Sequence, residues 1–285
     1  MMKLVTWNIQ WGLGCDGRID LRRIVKTAKD LCDADVFCFQ EVSRGFAAHD
    51  GDQDQPSVLA FLLPGYRAVF RPAVEKADDQ GKLQVFGNMI LSRLPVLEIT
   101  SHMLPWPATD CRSMQRQALE VLVQAPEGAM RVITTHLEYH SEIHRKAQIE
   151  RLRAIHEEGE RRKAIAFEDR SDGAYRTSPQ PVGTIVCGDF NLGPDEPLYR
   201  DILAPLAPEI PSFRDAWTIA RGQAPHPPTA GVADFKQWPQ GPHCRDYIFV
   251  TENLTGNATA VKVNVETTAS DHQPLALELT ATQVS

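Results

Sequence analysis

The sequence predicts an α/β protein, and three observations carry that reading. Short β-rich apolar runs alternate with occasional helical stretches along the whole chain. The 285 residues are 42% hydrophobic and 24% charged, which supplies a substantial core and excludes disorder, collagen and coiled coil. No internal repeat or low-complexity tract divides the chain, so one domain over 1–285 is expected.

The β-branched and aromatic runs place strands at 3–9, 35–40, 66–70, 84–92, 96–102 and 116–124 in the first half. The second half continues with strands at 130–136, 183–189, 246–250, 258–265 and 274–280. Helices are expected from Asp20 to Leu31, Pro56 to Leu63, Ser141 to about Gly159, and after Pro194, with Asp20 and Ser141 as caps. In the third helix Ile149, Leu152 and Ile155 form the apolar stripe, and its many charges form a solvated face. Residues 160–181 are polar and end in proline-rich turn chemistry, which reads as an irregular insertion.

The formal net charge of −7 argues against non-specific clamping of nucleic acid by a basic surface, although it leaves a nucleic-acid substrate open. The six cysteines stand singly without CxxC spacing and read as reduced, mainly structural thiols. With no apolar run of signal or membrane-span length, a soluble cytoplasmic protein is the default expectation.

Chemistry-bearing side chains collect at strand ends. Asn8 lies in TWNIQ, Glu41 in FQEV, His136 in TTHLE, Asp189 and Asn191 in GDFN, Asp246 in RDYIFV, and Ser270, Asp271 and His272 in SDH. Each hairpin or helical return reverses chain direction, so the strands can be counted from the end at which the first one finishes. The count brings every one of these clusters to the same end, and it sends the 160–181 insertion to the opposite end. Loops 43–56, 71–83, 103–115 and 222–244 fall at the functional end.

Other constellations compete for attention. His136, His140 and His144 are spaced by four, but Val132 to Thr135 favour a strand before His136, and HLEYH is not the HExxH of a zinc hydrolase. Arg112 is a possible phosphate ligand or an ordinary surface cation. Trp106, His226, Trp238 and His243 lie in functional-end loops and are candidates for a substrate wall, although loop packing is the simpler reading.

Taken in order, TWNIQ, QEV, GNMILSR, RQAL, TTHLE, GDFN, RDYIFV and SDH resemble the endonuclease/exonuclease/phosphatase superfamily, over residues 3 to about 279. The resemblance implies a DNase I-like four-layer α/β/β/α sandwich and hydrolysis of phosphate esters with Mg²⁺ or Mn²⁺. Position by position, it implies that Glu41 is the principal metal ligand, with Asn8 beside metal and phosphate and Asp271 a nearby carboxylate of the metal site. Asp189 is similar to the group that orients the attacking water. Asn191 and His136 are similar to the contacts to phosphoryl oxygens, and His272 with Asp246 to the dyad that stabilises or protonates the transition state. Asn88 in GNMIL and Arg116 in RQAL resemble substrate-facing positions.

The residue types suit that chemistry, because phosphoryl transfer needs charge neutralisation and in-line positioning more than a covalent nucleophile. His136 in THLE is like the phosphodiesterase branches rather than the abasic-site endonucleases. A monomeric phosphodiesterase or nuclease is expected, acting on a small phosphodiester or on single-stranded nucleic acid. A phosphomonoesterase, a lipid phosphodiesterase and a non-catalytic binding protein with a degenerate site are the alternatives.

Overall fold

A computed structural model describes residues 2–163 and 173–280. The strands form two six-stranded sheets. We number the strands β1 (Met2–Asn8), β2 (Val36–Arg44), β3 (Arg67–Ala77), β4 (Leu83–Ser92), β5 (Val96–Met103) and β6 (Gln117–Ala125). They continue as β7 (Gly128–His136), β8 (Gly183–Asp189), β9 (Phe213–Asp215), β10 (Asp246–Thr251), β11 (Ala258–Val263) and β12 (Leu275–Leu279). The first sheet has the order β11-β12-β1-β2-β4-β3 and the second β5-β6-β7-β8-β10-β9.

Period-two alternation explains how the sheets stack. Leu4, Val36, Cys38 and Ile90 of the first sheet face Val121, Val132, Ile185 and Ile248 of the second in one apolar layer. Their neighbours Val5, Trp7, Phe37 and Phe39 point the other way, onto helices α1 (Leu21–Leu31) and α3 (Gln55–Leu62). On the far side Ile133, Val186 and Phe249 meet Ile149, Leu152 and Ile155 of α4 (Glu142–Lys163) and Leu198 of α5 (Pro197–Leu203). The central strands are buried on both faces, which is why they read as continuous apolar runs. The result is the expected four-layer α/β/β/α sandwich.

Asp20 caps α1 by accepting from the N–H groups of Arg22 and Arg23, and Ser141 caps α4 by accepting from His144 N at 3.3 Å. Strand directions follow the count made on the sequence: β1 and β2 run parallel, as do β7 and β8, and β10 and β12 run antiparallel to β8 and β1. Residues 173–181 lead into the Val182 N–H that bonds to Ala129 O beside the start of β7, at the end remote from His136.

Three expectations need correction. Helix α4 runs to Lys163, past Gly159, because its last turn carries Arg161, Arg162 and Lys163, cations that suit a helix C-terminus, with Arg162 paired to Glu158 and Lys163 to Glu160. That turn takes the first residues of the 160–181 insertion, and 164–172 of it lie outside the described residues. The expected loop 71–83 is instead a hairpin arm of β3 and β4, closed where Asp78 accepts from Gln80 N and Lys82 N. The short β9, α2 (Ala47–Asp50) and α6 (Ala216–Arg221) went unread in the sequence, being too short to show a period.

Candidate active site

Both sheets deliver polar side chains to one end, and local backbone devices aim them. In β2 a bulge between Phe39 and Val42 sets Glu41 at φ +60°, a left-handed conformation costly for a residue with a Cβ. Behind it Gln40 is fully buried, and its Nε2 donates to Thr6 Oγ1 at 3.1 Å and to Thr134 Oγ1 at 2.8 Å, joining β2 to β1 and to β7 of the other sheet. In β8 Gly188 sits at φ +135°, where a Cβ would lie 1.9 Å from Thr135 O. Only glycine permits that approach, which aligns β7 and β8 so that His136 and Asp189 are register partners.

The SDH loop is stitched to the end of β1. Ser270 Oγ donates to Asn8 O at 2.8 Å and accepts from His272 N at 3.2 Å, while Trp7 Nε1 donates to His272 O at 2.9 Å. These bonds hold Asp271 and His272 over the site.

Asp189 is the centre of the constellation. Asn8 Nδ2 donates to its Oδ2 at 3.0 Å and Asn191 N to its Oδ1 at 2.9 Å. His136 Nε2 approaches its Oδ2 to 3.4 Å and His272 Nε2 to 3.6 Å. His272 Nδ1 lies 2.8 Å from Asp246 Oδ2, so Nδ1 carries the proton of that bond. Asn8 Nδ2 also reaches Glu41 Oε1 at 2.9 Å, and His136 Nδ1 lies 3.8 Å from the same oxygen.

The charges are unevenly shared. Burial and the nearby Asp271 push the Glu41 carboxyl up to about 7, with Asn8 pulling the other way. Burial disfavours an imidazolium at His272, yet Asp246, Asp189 and Asp271 outweigh it and hold its pKa well above the ordinary value. Burial and then Arg116 lower His136 to about 3, which leaves it neutral. Burial works against the Asp189 carboxylate, but His272 and His136 hold its pKa below the usual range.

These groups open on a cavity of about 610 Å³ lined by Glu41, His136, Asp189, Asn191, Asp271 and His272 on its floor. Asn8 and Asp246 are buried behind the floor. Asn8, expected beside the metal, turns its nitrogen toward Glu41 and Asp189, because its Oδ1 accepts from Gln10 N at 3.1 Å. It is thereby placed to orient both carboxylates, one of them the expected metal ligand Glu41. Arg116 lines the cavity; its Nε reaches Glu138 Oε2 at 3.3 Å, and one terminal nitrogen, Nη1, is buried with no partner in the protein. Asn88 is 3% exposed, donates to Gln117 O at 3.2 Å, and borders a small recess that shares Phe86, Met114, Arg116 and His136 with the cavity.

Two wall residues hold Asp271 in place. Gln237 Nε2 and Trp238 Nε1 both donate to Asp271 Oδ2, at 2.8 and 3.0 Å. Trp238 is one of the four loop residues offered as a substrate wall, whereas Gln237 carries no signal in the sequence beyond its position in a functional-end loop. His226 is tied to Asp215 at 2.6 Å, and His243 packs behind Trp238 at 4.8 Å between ring centroids. His144 Nε2 is engaged by Pro107 O at 2.8 Å, so the four-residue histidine spacing builds no shared site with His136.

The donor chemistry fits a hard divalent cation at Glu41 and Asp271. Both offer carboxylate oxygens to one cavity, and the crowding that raises Glu41 is what a cation would relieve. Asp189, Asp246 and His272 also bring potential ligand atoms within 4.8 Å of one another. There, however, His272 Nδ1 is committed to Asp246, which makes a hydrogen-bonded relay rather than a cage.

A profile of the Endonuclease/Exonuclease/phosphatase family matches residues 5–272. The chain belongs to that family. The family is one of phosphate-ester hydrolases, and similar solved structures display the same fold. One, an endonuclease/exonuclease/phosphatase from Beutenbergia cavernae, is 23% identical with a TM-score of 0.66, covering 100% of this chain and 73% of that one. A mannosyl-6-phosphatase from Bacteroides thetaiotaomicron is 16% identical with a TM-score of 0.64, covering 99% and 100%. The 3′ phosphatase NExo from Neisseria, solved with a product DNA hairpin, is 16% identical with a TM-score of 0.62, covering 99% and 100%. No curated protein matches the sequence.

Proposed function

We propose that the chain is a divalent-metal-dependent phosphodiesterase acting on small or single-stranded phosphodiesters. The observation that carries this reading is the pairing of two histidines of opposite charge preference about one carboxylate. Asp189 stands between neutral His136 at 3.4 Å and cationic His272 at 3.6 Å, over a cavity that Glu41 and Asp271 also line.

Mg²⁺ or Mn²⁺ held by Glu41 and Asp271 would neutralise charge on the phosphoryl group. Asp189 accepts a proton of the attacking water and sets the oxygen in line with the scissile P–O bond. His272, kept as an imidazolium with Nδ1 toward Asp246, offers Nε2–H to the charge that develops on the phosphoryl oxygens. Asn191, His136 and Arg116, which line the cavity around them, complete the ring of donors. The water oxygen joins phosphorus, the ester bond breaks, and the leaving oxygen departs, taking a proton from solvent to become the alcohol while Asp189 gives its own proton up. Asn88, beside Arg116 and His136 in the adjoining recess, would back the substrate side of the ring.

Glu41, Asp271 and His272 belong to elements of the first sheet, and His136, Asp189 and Asp246 to elements of the second, which supports reading 1–285 as one domain. The site is complete within one chain, as suits a monomer. No helix among the described residues is long and apolar enough to cross a membrane.

The test is a Mg²⁺/Mn²⁺ screen of the purified protein on bis-p-nitrophenyl phosphate, p-nitrophenyl phosphate, single-stranded and duplex DNA, RNA and a phospholipid. Diester turnover that stops in EDTA and is lost in Glu41→Gln is expected. Full activity in EDTA, or turnover of monoesters alone, would refute the reading. An inert protein would favour a binding protein with a degenerate site.

A further inference from the structure

The catalytic floor occupies only one side of the cavity. A separate wall rises from Trp11, which follows β1, from Phe46 and His49 around α2, and from Val74, Lys76 and Phe86 on the hairpin arm. None of these side chains touches the relay described above, and the sequence motifs do not include them. Their arrangement is ordered. The rings of Trp11 and His49 stack with centroids 4.5 Å apart at 17°, those of His49 and Phe46 at 5.9 Å and 26°, and Lys76 Nζ lies 5.3 Å over the Phe46 ring.

The backbone supporting this wall is unusual. Gln10 and Trp11 both adopt positive φ, 44° and 43°, conformations that cost free energy in residues with a Cβ. Trp11 O accepts from Gln55 Nε2 at 2.6 Å, and Asp50 receives Phe46 N at 2.7 Å and Ser43 Oγ at 3.1 Å. These hydrogen bonds fix the stacked rings of Trp11, His49 and Phe46 along the cavity wall. Trp11 and Phe46 remain half-buried and His49 exposed.

We infer that this wall is a subsite for the heteroaromatic base of a nucleotide ester, so that the diester cleaved on the floor has a nucleoside on one side. This inference rests on the phosphodiesterase reading and deepens it. A base has two apolar faces and stacks on aromatic rings whatever its identity. The imidazole of His49 already shows that Trp11 accepts a flat nitrogen heterocycle. Lys76 and, on the facing wall, Arg112 supply cations for the adjoining phosphate. The volume of about 610 Å³ is in the range of pockets that enclose a molecule of this size. A sugar would set its hydroxyls against Phe46, Val74 and Phe86 without partners. An acyl chain would strip water from Lys76 and His49 while gaining nothing from coplanar rings.

The test compares thymidine 5′-p-nitrophenyl phosphate with ethyl p-nitrophenyl phosphate under Mn²⁺. Wild type should show the higher kcat/KM on the thymidine ester. His49→Ala and Phe46→Leu should shrink that preference roughly tenfold, as expected for a lost stacking contact, chiefly through KM. Binding is read independently of turnover by quenching of tryptophan fluorescence with thymidine 5′-monophosphate, with Trp11→Phe assigning the signal. Saturable quenching that weakens about tenfold in His49→Ala supports the subsite. Equal quenching by ribose 5-phosphate, tighter binding of octyl phosphate lost in the same variants, or affinity unchanged by His49→Ala would each overturn it. Thymidine monophosphate binding without hydrolysis of either ester would instead refute the phosphodiesterase reading and leave the subsite standing.

Discussion

His272 and Asp246 meet across the seam between the two sheets, with Nδ1 and Oδ2 2.8 Å apart and both side chains almost wholly buried. His272 belongs to the loop that enters β12 of the first sheet, and Asp246 opens β10 of the second. The pair fixes the tautomer of His272 and leaves Nε2 directed at Asp189.

Replacing Asp246 by Asn should therefore lower kcat by on the order of 10²- to 10⁴-fold while leaving metal affinity unchanged. Stopped-flow turnover and a Mn²⁺ titration on the same preparation separate the two quantities. Equal loss of metal binding would make the dyad a structural prop.

Asp271 spends one oxygen, Oδ2, on the donors Gln237 and Trp238. Trp238→Phe keeps the ring and removes the N–H, so the carboxylate loses part of its fixed orientation. Mn²⁺ affinity should fall about tenfold or more, the usual scale for groups that orient metal ligands. Electron paramagnetic resonance of free Mn²⁺ measures it directly, and unchanged affinity would show that Asp271 is held without the loop.

Acid stability should trace largely to Glu120. Its carboxylate is opposed by burial, but His102 Nε2 at 3.0 Å and the Arg131 guanidinium at 2.8 Å prevail and bring its pKa down to about 2. The folded-state value lies below the unfolded one near 4.5, so this stability is present above about pH 4.5 and is lost as pH falls toward 2. The shift corresponds to about 3 kcal/mol. Urea unfolding of Glu120→Gln should show a comparable deficit at pH 7 that shrinks steadily below pH 4.5. A constant deficit across that window would assign the loss to packing.

Residues 164–180 precede the strand that enters at the end remote from the cavity. Replacing them with a short Gly-Ser connection should leave kcat/KM within about twofold, with any loss confined to stability. Shortening 222–244 removes Gln237 and Trp238 and should change both metal affinity and substrate preference. Loss of turnover in the first deletion, with fold and metal retained, would implicate the insertion in the site.

The convergence of the site was legible because strand ends and chain direction are both written locally. Runs of β-branched and aromatic residues located the strands, and Asn8, Glu41, His136, Asp189 and His272 stood at their ends. The devices that aim those residues were not legible, since they depend on contacts between distant segments. Nothing near Glu41 signals a bulge. Gly188 acquires its purpose only from Thr135 on the neighbouring strand. Gln237 and Trp238 reach Asp271 across more than thirty positions of sequence. The arm of β3 and β4 pairs mainly through its backbone and carries polar residues on open faces, so it lacks the apolar alternation that reveals a strand.

Gln40 gives the central layer a lengthwise reference mark beside the catalytic end. Apolar side chains between stacked sheets tolerate small sliding movements, because dispersion contacts are non-directional. An amide that bonds to Thr6 in its own sheet and to Thr134 in the other does not, since a displacement of about an ångström breaks a directional bond in a place water cannot reach. Alignment of the two halves of the constellation is thereby set one residue away from Glu41, like a dowel placed beside the joint it must keep true.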